Sequence, residues 1–214
     1  MNCRIPVEVM RRLTSGHERN IYIHPNPLAR EIFWQRIDAL ARMIGQNRSP
    51  SQRGLDFGGG SGALVRFWAE WGGPVDLLDL DAGDAGQLKR EYAAEHLQIV
   101  EMDVAGYSPQ APYDFIVAAD VLEHFPDLHV PVGHLLRLLK PGGLLFVSAP
   151  TENWLYELGR VLVRKSKPAD HYHSSRQIIA VLEAAGLILQ QRRFAPRFFA
   201  TPLPLFDICL FRKR

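Results

Sequence analysis

Thiols are scarce in this chain: Cys3 and Cys209 are its only cysteines, and they stand near opposite ends. Two cysteines so placed make neither a disulfide framework nor a zinc site, so a reducing, cytoplasmic setting is expected. A surplus of charge is missing too. The 25 lysines and arginines are nearly matched by 23 acids, a formal charge of +2. That balance speaks against a dedicated nucleic-acid binder. Three terminal cations, Arg212, Lys213 and Arg214, read as a solvated tail. No apolar run approaches the ~18 residues needed to span a bilayer, and the opening MNCRIPVEVMRR lacks the apolar centre of a signal peptide. Repeats and low-complexity tracts are absent. What is there, 214 residues with 47% hydrophobic and 22% charged, suits one globular domain with a sizeable core.

Residues 1–26 show no clear period. From Pro27, LAREIFWQRIDALARMIG sets Leu28, Ile32, Phe33, Ile37, Leu40, Ala41 and Ile44 at helical spacing, opened by the proline and closed by Gly45. Residues 1–48 are therefore expected to form an N-terminal helical cap segment, and 49–214 the main domain. After the loop QNRSPSQ, short apolar runs alternate with helical segments. The runs are GLDF, VDLLDLD, LQIVEMD, YDFIVAAD, LLFVSAP, LILQQRRF and LFDICLFR. Between them lie ALVRFWAEW, AGQLKREYAAEH, LHVPVGHLLRLLK (limited by Pro131 to its later part) and SRQIIAVLEAAG, with PGG as a turn before the fifth run. Alternation of this kind implies an α/β fold with a parallel sheet covered by helices on both faces, and runs such as FIVAA and LLFVSA fit strands buried on both sides.

The stretch LDFGGGSGAL, residues 55–64, concentrates the chemistry. A strand, a glycine-rich turn and a helix bring backbone close to a ligand at a helix N-terminus. Gly58, Gly60 and Gly62 provide that turn, and Gly58, Gly60 and Ala63 satisfy the dinucleotide pattern G-x-G-x-x-A. Asp79, at the tip of the next strand, is spaced to take ribose hydroxyls; Asp81 is a second acid near that tip. An adenosine-containing ligand is implied, with NAD and S-adenosylmethionine (SAM) both open. Asp56, just before the first glycine, favours SAM. A carboxylate suits its α-amino group and sulfonium and repels a pyrophosphate. Asp103, ending the third strand, can accept a hydrogen bond from an adenine amino group.

Residues 50–212 resemble the class I SAM-dependent methyltransferases, in particular the type 11 group that includes quinone-biosynthesis O-methyltransferases. LDFGGGSG, LLDLD, EMDV and LLKPGGLLFVSAP stand in family order. The resemblance implies a Rossmann-like, seven-stranded sheet whose last strand is antiparallel. It implies cofactor contacts from Asp56 and Gly58 at the methionine end, from Asp79 at the ribose, and from Asp103 and Val104 at the adenine, with Gly60, Gly62, Leu80 and Ala119 also among the cofactor-binding residues. AADVLEHFPD, residues 118–127, resembles a stretch that binds a divalent metal in some relatives through two acids and a histidine. The matching residues are Asp120, Glu123 and His124, with aspartate where the pattern has glutamate. The other reading of Glu123 and His124 is a helix cap or a solvated turn.

Three histidines are candidates for the base that methylation of a hydroxyl or ammonium needs: His124, and His171 and His173 of DHYHS. Those last two stand before a helix that Ser174 or Ser175 would cap; they either face the acceptor or are simply exposed. A lid is expected at about 151–173. Within it, WLYELGRVLVRKSKP (154–168) reads as a helix packed on the core or as a short membrane-contacting helix. RRFAPRFFATPLPLF (192–206) reads as a pocket wall or a protein contact. In the cap segment, His24, Arg30 and Trp34 are expected near the site. The reading favoured is a SAM-dependent methyltransferase acting on an oxygen or nitrogen of an aromatic, lipid-like or sugar-containing small molecule. The alternatives are an NAD-dependent oxidoreductase and a non-catalytic partner protein of the same fold.

Overall fold

The computed structural model describes residues 3–15, 20–152, 171–198 and 201–214. The expected lid helix at 154–168 lies outside them. Described elements run, in chain order, α1 (Val7–Leu13), a 3-10 turn (Ile21–Ile23), α2 (Pro27–Asn47), β1 (Gly54–Phe57), α3 (Val65–Trp71), β2 (Val75–Asp79), α4 (Gly83–Glu91), β3 (Leu97–Glu101) and β4 (Tyr113–Ala119). A second 3-10 turn (Leu122–His124) follows, then α5 (His129–Leu138), β5 (Leu139–Pro150), α6 (Ser175–Ala184), β6 (Leu187–Phe198) and β7 (Thr201–Lys213).

The strands form one seven-stranded sheet in the order β3-β2-β1-β4-β5-β7-β6. β1 to β5 pair in parallel, and β7 runs antiparallel to both its neighbours. The antiparallel last strand agrees with the family resemblance. Side chains of a strand point alternately to the two faces, and β4 shows what this builds. Phe115 and Val117 join a core with Ile37 and Leu40 of α2, Phe67 and Trp68 of α3 and Leu88 of α4. Ile116 and Ala118 join a second core with Val132 and Leu135 of α5 and Ile178 and Leu182 of α6. The sheet is thus sandwiched between helical layers, as the doubly apolar strands require.

Local signals account for most boundaries. Asn26 accepts from the N–H groups of Leu28 and Ala29, with Pro27 in the first turn, and so starts α2. Ser174 and Gln177 form a capping box at the start of α6. Four expectations shift. α1 lies in a stretch without readable period, since seven residues give too few turns for a pattern. α5 begins at His129, because Pro131 falls in the first turn, where a missing N–H costs nothing. Lys140–Gly143 do turn, with Gly142 at φ +71°, but the turn is an irregularity inside β5. Residues 192–198 and 201–206 extend β6 and β7 into a long antiparallel pair.

Gly62, at φ +73°, seats the loop after β1 on α4: a Cβ there would lie 2.6 Å from Leu88 Cδ1. Gly86, inside α4, has nothing within 4 Å of such a Cβ among the described residues. Urea denaturation should therefore show Gly62→Ala losing about 1–3 kcal/mol and Gly86→Ala gaining up to about 1 kcal/mol.

Candidate active site

β1 and β4 are neighbours whose connections leave the sheet in different directions, so a crevice opens beyond their carboxyl ends. A cavity of about 530 Å³ fills it. Its described lining takes in the glycine loop, the tips of β2 and β4, and one face of α2.

Asp56, from β1, lines this cavity although its side chain is only 1% exposed overall. Its Oδ2 accepts from the Trp68 indole N–H at 2.7 Å, while its Oδ1 is buried with no hydrogen-bond partner among the described residues. Burial pushes the carboxyl up to about 7; the Trp68 bond pulls it down and the nearby Asp79 raises it further. Asp79 ends β2 and organises two loops. Its Oδ2 accepts from the Gly60 N–H at 2.8 Å and its Oδ1 from the Asp81 N–H at 3.0 Å. Asp79 and Asp81 both line the cavity.

The wall facing the glycine loop comes from β4 and α2. Ala119 and Asp120 line it from the tip of β4. Asp120 sits at φ +52°, in the left-handed region that few non-glycine residues occupy and aspartate enters more readily than most. Its backbone N–H donates to the Ser148 carbonyl and its Oδ1 accepts from the Ser148 hydroxyl, both at 2.9 Å. Its other carboxylate oxygen is ion-paired with Arg36. Arg36 is a buried cation of α2, donating to the Tyr22 hydroxyl at 2.6 Å and lying over the rings of Phe33 and Phe206. Five aspartates, Asp56, Asp79, Asp81, Asp84 and Asp120, line the cavity, and Arg36 is the one lysine or arginine among the described lining.

Arg36 was not among the residues expected at the site. The available signal was a cation at helical spacing from Phe33 and Leu40, on the face of α2 that enters the core. Of the cap residues that were expected, Trp34 is buried against Tyr22, Arg30 bonds to the backbone carbonyls of His24 and Pro25, and none of His24, Arg30 and Trp34 lines the cavity. Leu80 is 70% exposed, Asp103 is exposed and caps its own turn through Ala105 N–H, and Val104 belongs to the second core. These three lie at the carboxyl edge of β2 and β3, outside the cavity lining.

The three histidines separate. His124 lines the cavity. His171 stands edge-on to it, ring centroids 4.8 Å apart, with its Nδ1 3.1 Å from Glu152 Oε1. His173 is directed elsewhere, to the Pro126 carbonyl. Glu123 is buried, 1% exposed, and ligand atoms of Glu123, His124 and His171 all lie within 4.8 Å of one another.

A carboxyl whose value rises from the unfolded range to about 7 destabilises the native state as pH climbs between the two, because the native protein holds its proton longer. Stability should therefore fall between roughly pH 4 and 7 by an amount on the order of 2–4 kcal/mol from this group. Asp56→Asn keeps an acceptor for Trp68 and removes the charge. Urea midpoints across this pH range should show the variant gaining on the wild type as pH rises.

The methyltransferase domain family matches residues 28–191, most of the chain. A malonyl-[acyl-carrier protein] O-methyltransferase from Serratia marcescens is 31% identical over 123 residues, covering 57% of this chain and 48% of that protein. A ubiquinone biosynthesis O-methyltransferase from Klebsiella pneumoniae is 32% identical over 145 residues, covering 64% of this chain and 59% of that protein. The chain therefore spans about half the length of the curated relatives it matches. Among solved structures, the N-methyltransferase NodS of Bradyrhizobium japonicum WM9, in complex with S-adenosyl-L-homocysteine (SAH), superposes with a TM-score of 0.70 at 20% identity, covering 100% of this chain and 99% of that one. At that identity the likeness speaks for the fold, and the match over residues 28–191 carries the assignment: the chain belongs to the methyltransferase domain family.

Proposed function

We propose that this chain transfers a methyl group from SAM to an oxygen or nitrogen of a small-molecule acceptor. The observation that carries this is the unpartnered, buried Oδ1 of Asp56 in the wall of a cavity lined by five aspartates. The described cation there, Arg36, is already neutralised by Asp120. Such a cavity suits a cationic ligand and repels linked phosphates, which favours SAM over a nicotinamide dinucleotide. The O-methyltransferase relatives and the SAH-bound N-methyltransferase support the same reading.

Bound SAM would supply an activated methyl group on its sulfonium. Asp56 Oδ1 would hold the α-amino group, with Gly58, Gly60 and Gly62 giving backbone room beside it. Asp79 retains a second lone pair on each carboxylate oxygen beyond its two backbone bonds, enough for ribose hydroxyls. Leu80, Asp103 and Val104 would flank the adenine at the outer edge, and Ala119 the methionine end. On the acceptor side, Phe33, Ile37 and Leu64 give the cavity apolar wall, which favours an aromatic or lipid-like acceptor. His124 borders the cavity on the acceptor side, and His171, held by Glu152, stands behind it. The two buried free thiols support a reducing, cytoplasmic setting, and no described helix is long and apolar enough to cross a membrane.

Titration calorimetry with SAH and NADH tests the reading. SAH should bind at micromolar strength or better, and NADH should not bind. Since the amino group needs Asp56 ionised, SAH affinity should fall by up to roughly tenfold per pH unit below about 7 and level off above it. Asp56→Asn should weaken binding at least about tenfold at pH 8 and flatten the profile. Binding of NADH in place of SAH, or an Asp56→Asn variant with unchanged affinity, overturns the proposal.

A further inference from the structure

The resemblance in residues 118–127 implies a metal held by Asp120, Glu123 and His124, and the side chains present do not fit that set. Asp120 is committed to Arg36 on one carboxylate oxygen and to the Ser148 hydroxyl on the other. The group that joins Glu123 and His124 is His171, and the ligand atoms of these three lie within 4.8 Å of one another. We infer that Glu123, His124 and His171 form a divalent transition-metal site at the acceptor end of the cavity, with His171 taking the place the motif gives to Asp120.

Several independent features favour this set. The two segments that meet there are tied by backbone, the Tyr172 N–H donating to the Glu123 carbonyl at 2.9 Å. Glu123 and His124 stand on one short 3-10 turn at the end of β4, so the turn fixes their relative direction. The rings of His124 and His171 meet at 82° rather than stacking, which lets two ring nitrogens converge on one point. Behind His171, Glu152 holds Nδ1 at 3.1 Å with side-chain exposures of only 12% and 8%. That is the kind of outer carboxylate that orients a metal-bound imidazole. Glu152 reaches this position at φ +52°, a strained conformation for a glutamate. Ligand atoms around a zinc-sized ion stand roughly 3–3.5 Å apart, so an ion would draw the set in from its spacing of up to 4.8 Å.

Ligand chemistry sets the metal. Two imidazoles and one carboxylate suit manganese, iron, cobalt or zinc, whereas magnesium prefers all-oxygen surroundings. Because His124 lines the cavity, positions left open on the ion would face the acceptor space. An ion there would polarise an acceptor oxygen and lower its pKa.

The test uses the full chain stripped by chelator and dialysed. Cobalt(II), zinc(II) and magnesium(II) are titrated by calorimetry, and cobalt is followed also by its visible absorption. One cobalt or zinc should bind per chain at micromolar strength or tighter, at least ~100-fold tighter than magnesium. His171→Asn and Glu123→Gln should each weaken cobalt binding at least ~10-fold, Glu152→Gln about 10-fold, and Asp120→Asn and His173→Ala by less than about threefold. SAH affinity and the thermal midpoint, measured on each variant, separate loss of the metal from loss of the fold and leave the SAM proposal to stand or fall alone. No stoichiometric binding by the stripped wild type, or a loss in Asp120→Asn as large as that in His171→Asn, overturns the assignment.

Discussion

A carboxylate taken out of water is the constraint around which this molecule is arranged. Asp56 has one oxygen satisfied by Trp68 and the other by nothing described in the protein. Leaving a buried acceptor unmet costs free energy, and burial answers by raising the carboxyl to about 7. The rest of β1 and α3 keeps the arrangement from relaxing. Trp68 is locked edge-on against Phe67 and Trp71 and lies near Phe115, so its N–H cannot swing away from the carboxylate. A site that bears this cost when empty recovers it from a ligand bringing positive charge, and the other aspartates of the cavity act in the same direction.

Strain gathers at the same end of the sheet. Among the described residues, two of the three non-glycine positions with positive φ are Asp120, at the tip of β4, and Glu152, just past β5. Each turns a carboxylate away from the strand direction and onto a specific cation or imidazole: Asp120 onto Arg36, Glu152 onto His171. The first bond draws α2 over the cavity and the second draws the segment after β5 towards the turn at Leu122–His124. Residues held in sparsely populated conformations persist where neighbouring structure overdetermines them, and Ser148 does so here for Asp120 from the adjacent strand.

How legible this was in the sequence depended on distance along the chain. The glycine loop, Asp56 and Asp79 sit inside one strand–turn–helix–strand unit, and their spacing follows from local geometry. The strands were visible because burial on both faces leaves apolar runs. Arg36 was hidden because its partner is Asp120, far along the chain, and nothing local to α2 explains a buried arginine. The histidine cluster was half visible. Glu123 and His124 share a turn and read as a pair, but the family resemblance put Asp120 with them, whereas the backbone at φ +52° belongs to a residue facing Arg36. His171 arrives from another segment, and only the folded sheet brings it there. The extent of β6 and β7 was obscured by Pro196, Pro202 and Pro204, which read as loop signals although edge and irregular positions of a sheet accept proline.

The two halves of the site are also coupled through a single contact. Gly58 takes φ +75°, and a Cβ on it would lie 2.3 Å from Val121 Cγ2. Only glycine lets Val121 come that close, so the loop beside Asp56 and the turn bearing Glu123 and His124 rest directly on each other. A larger residue at position 58 would push the β4 tip outward and move Asp120 and His124 with it, since Val121 lies between them. The glycine loop and the tip of β4 are therefore one mechanical unit: the residue that lets the loop pass beside Val121 also sets where the His124 imidazole stands at the cavity.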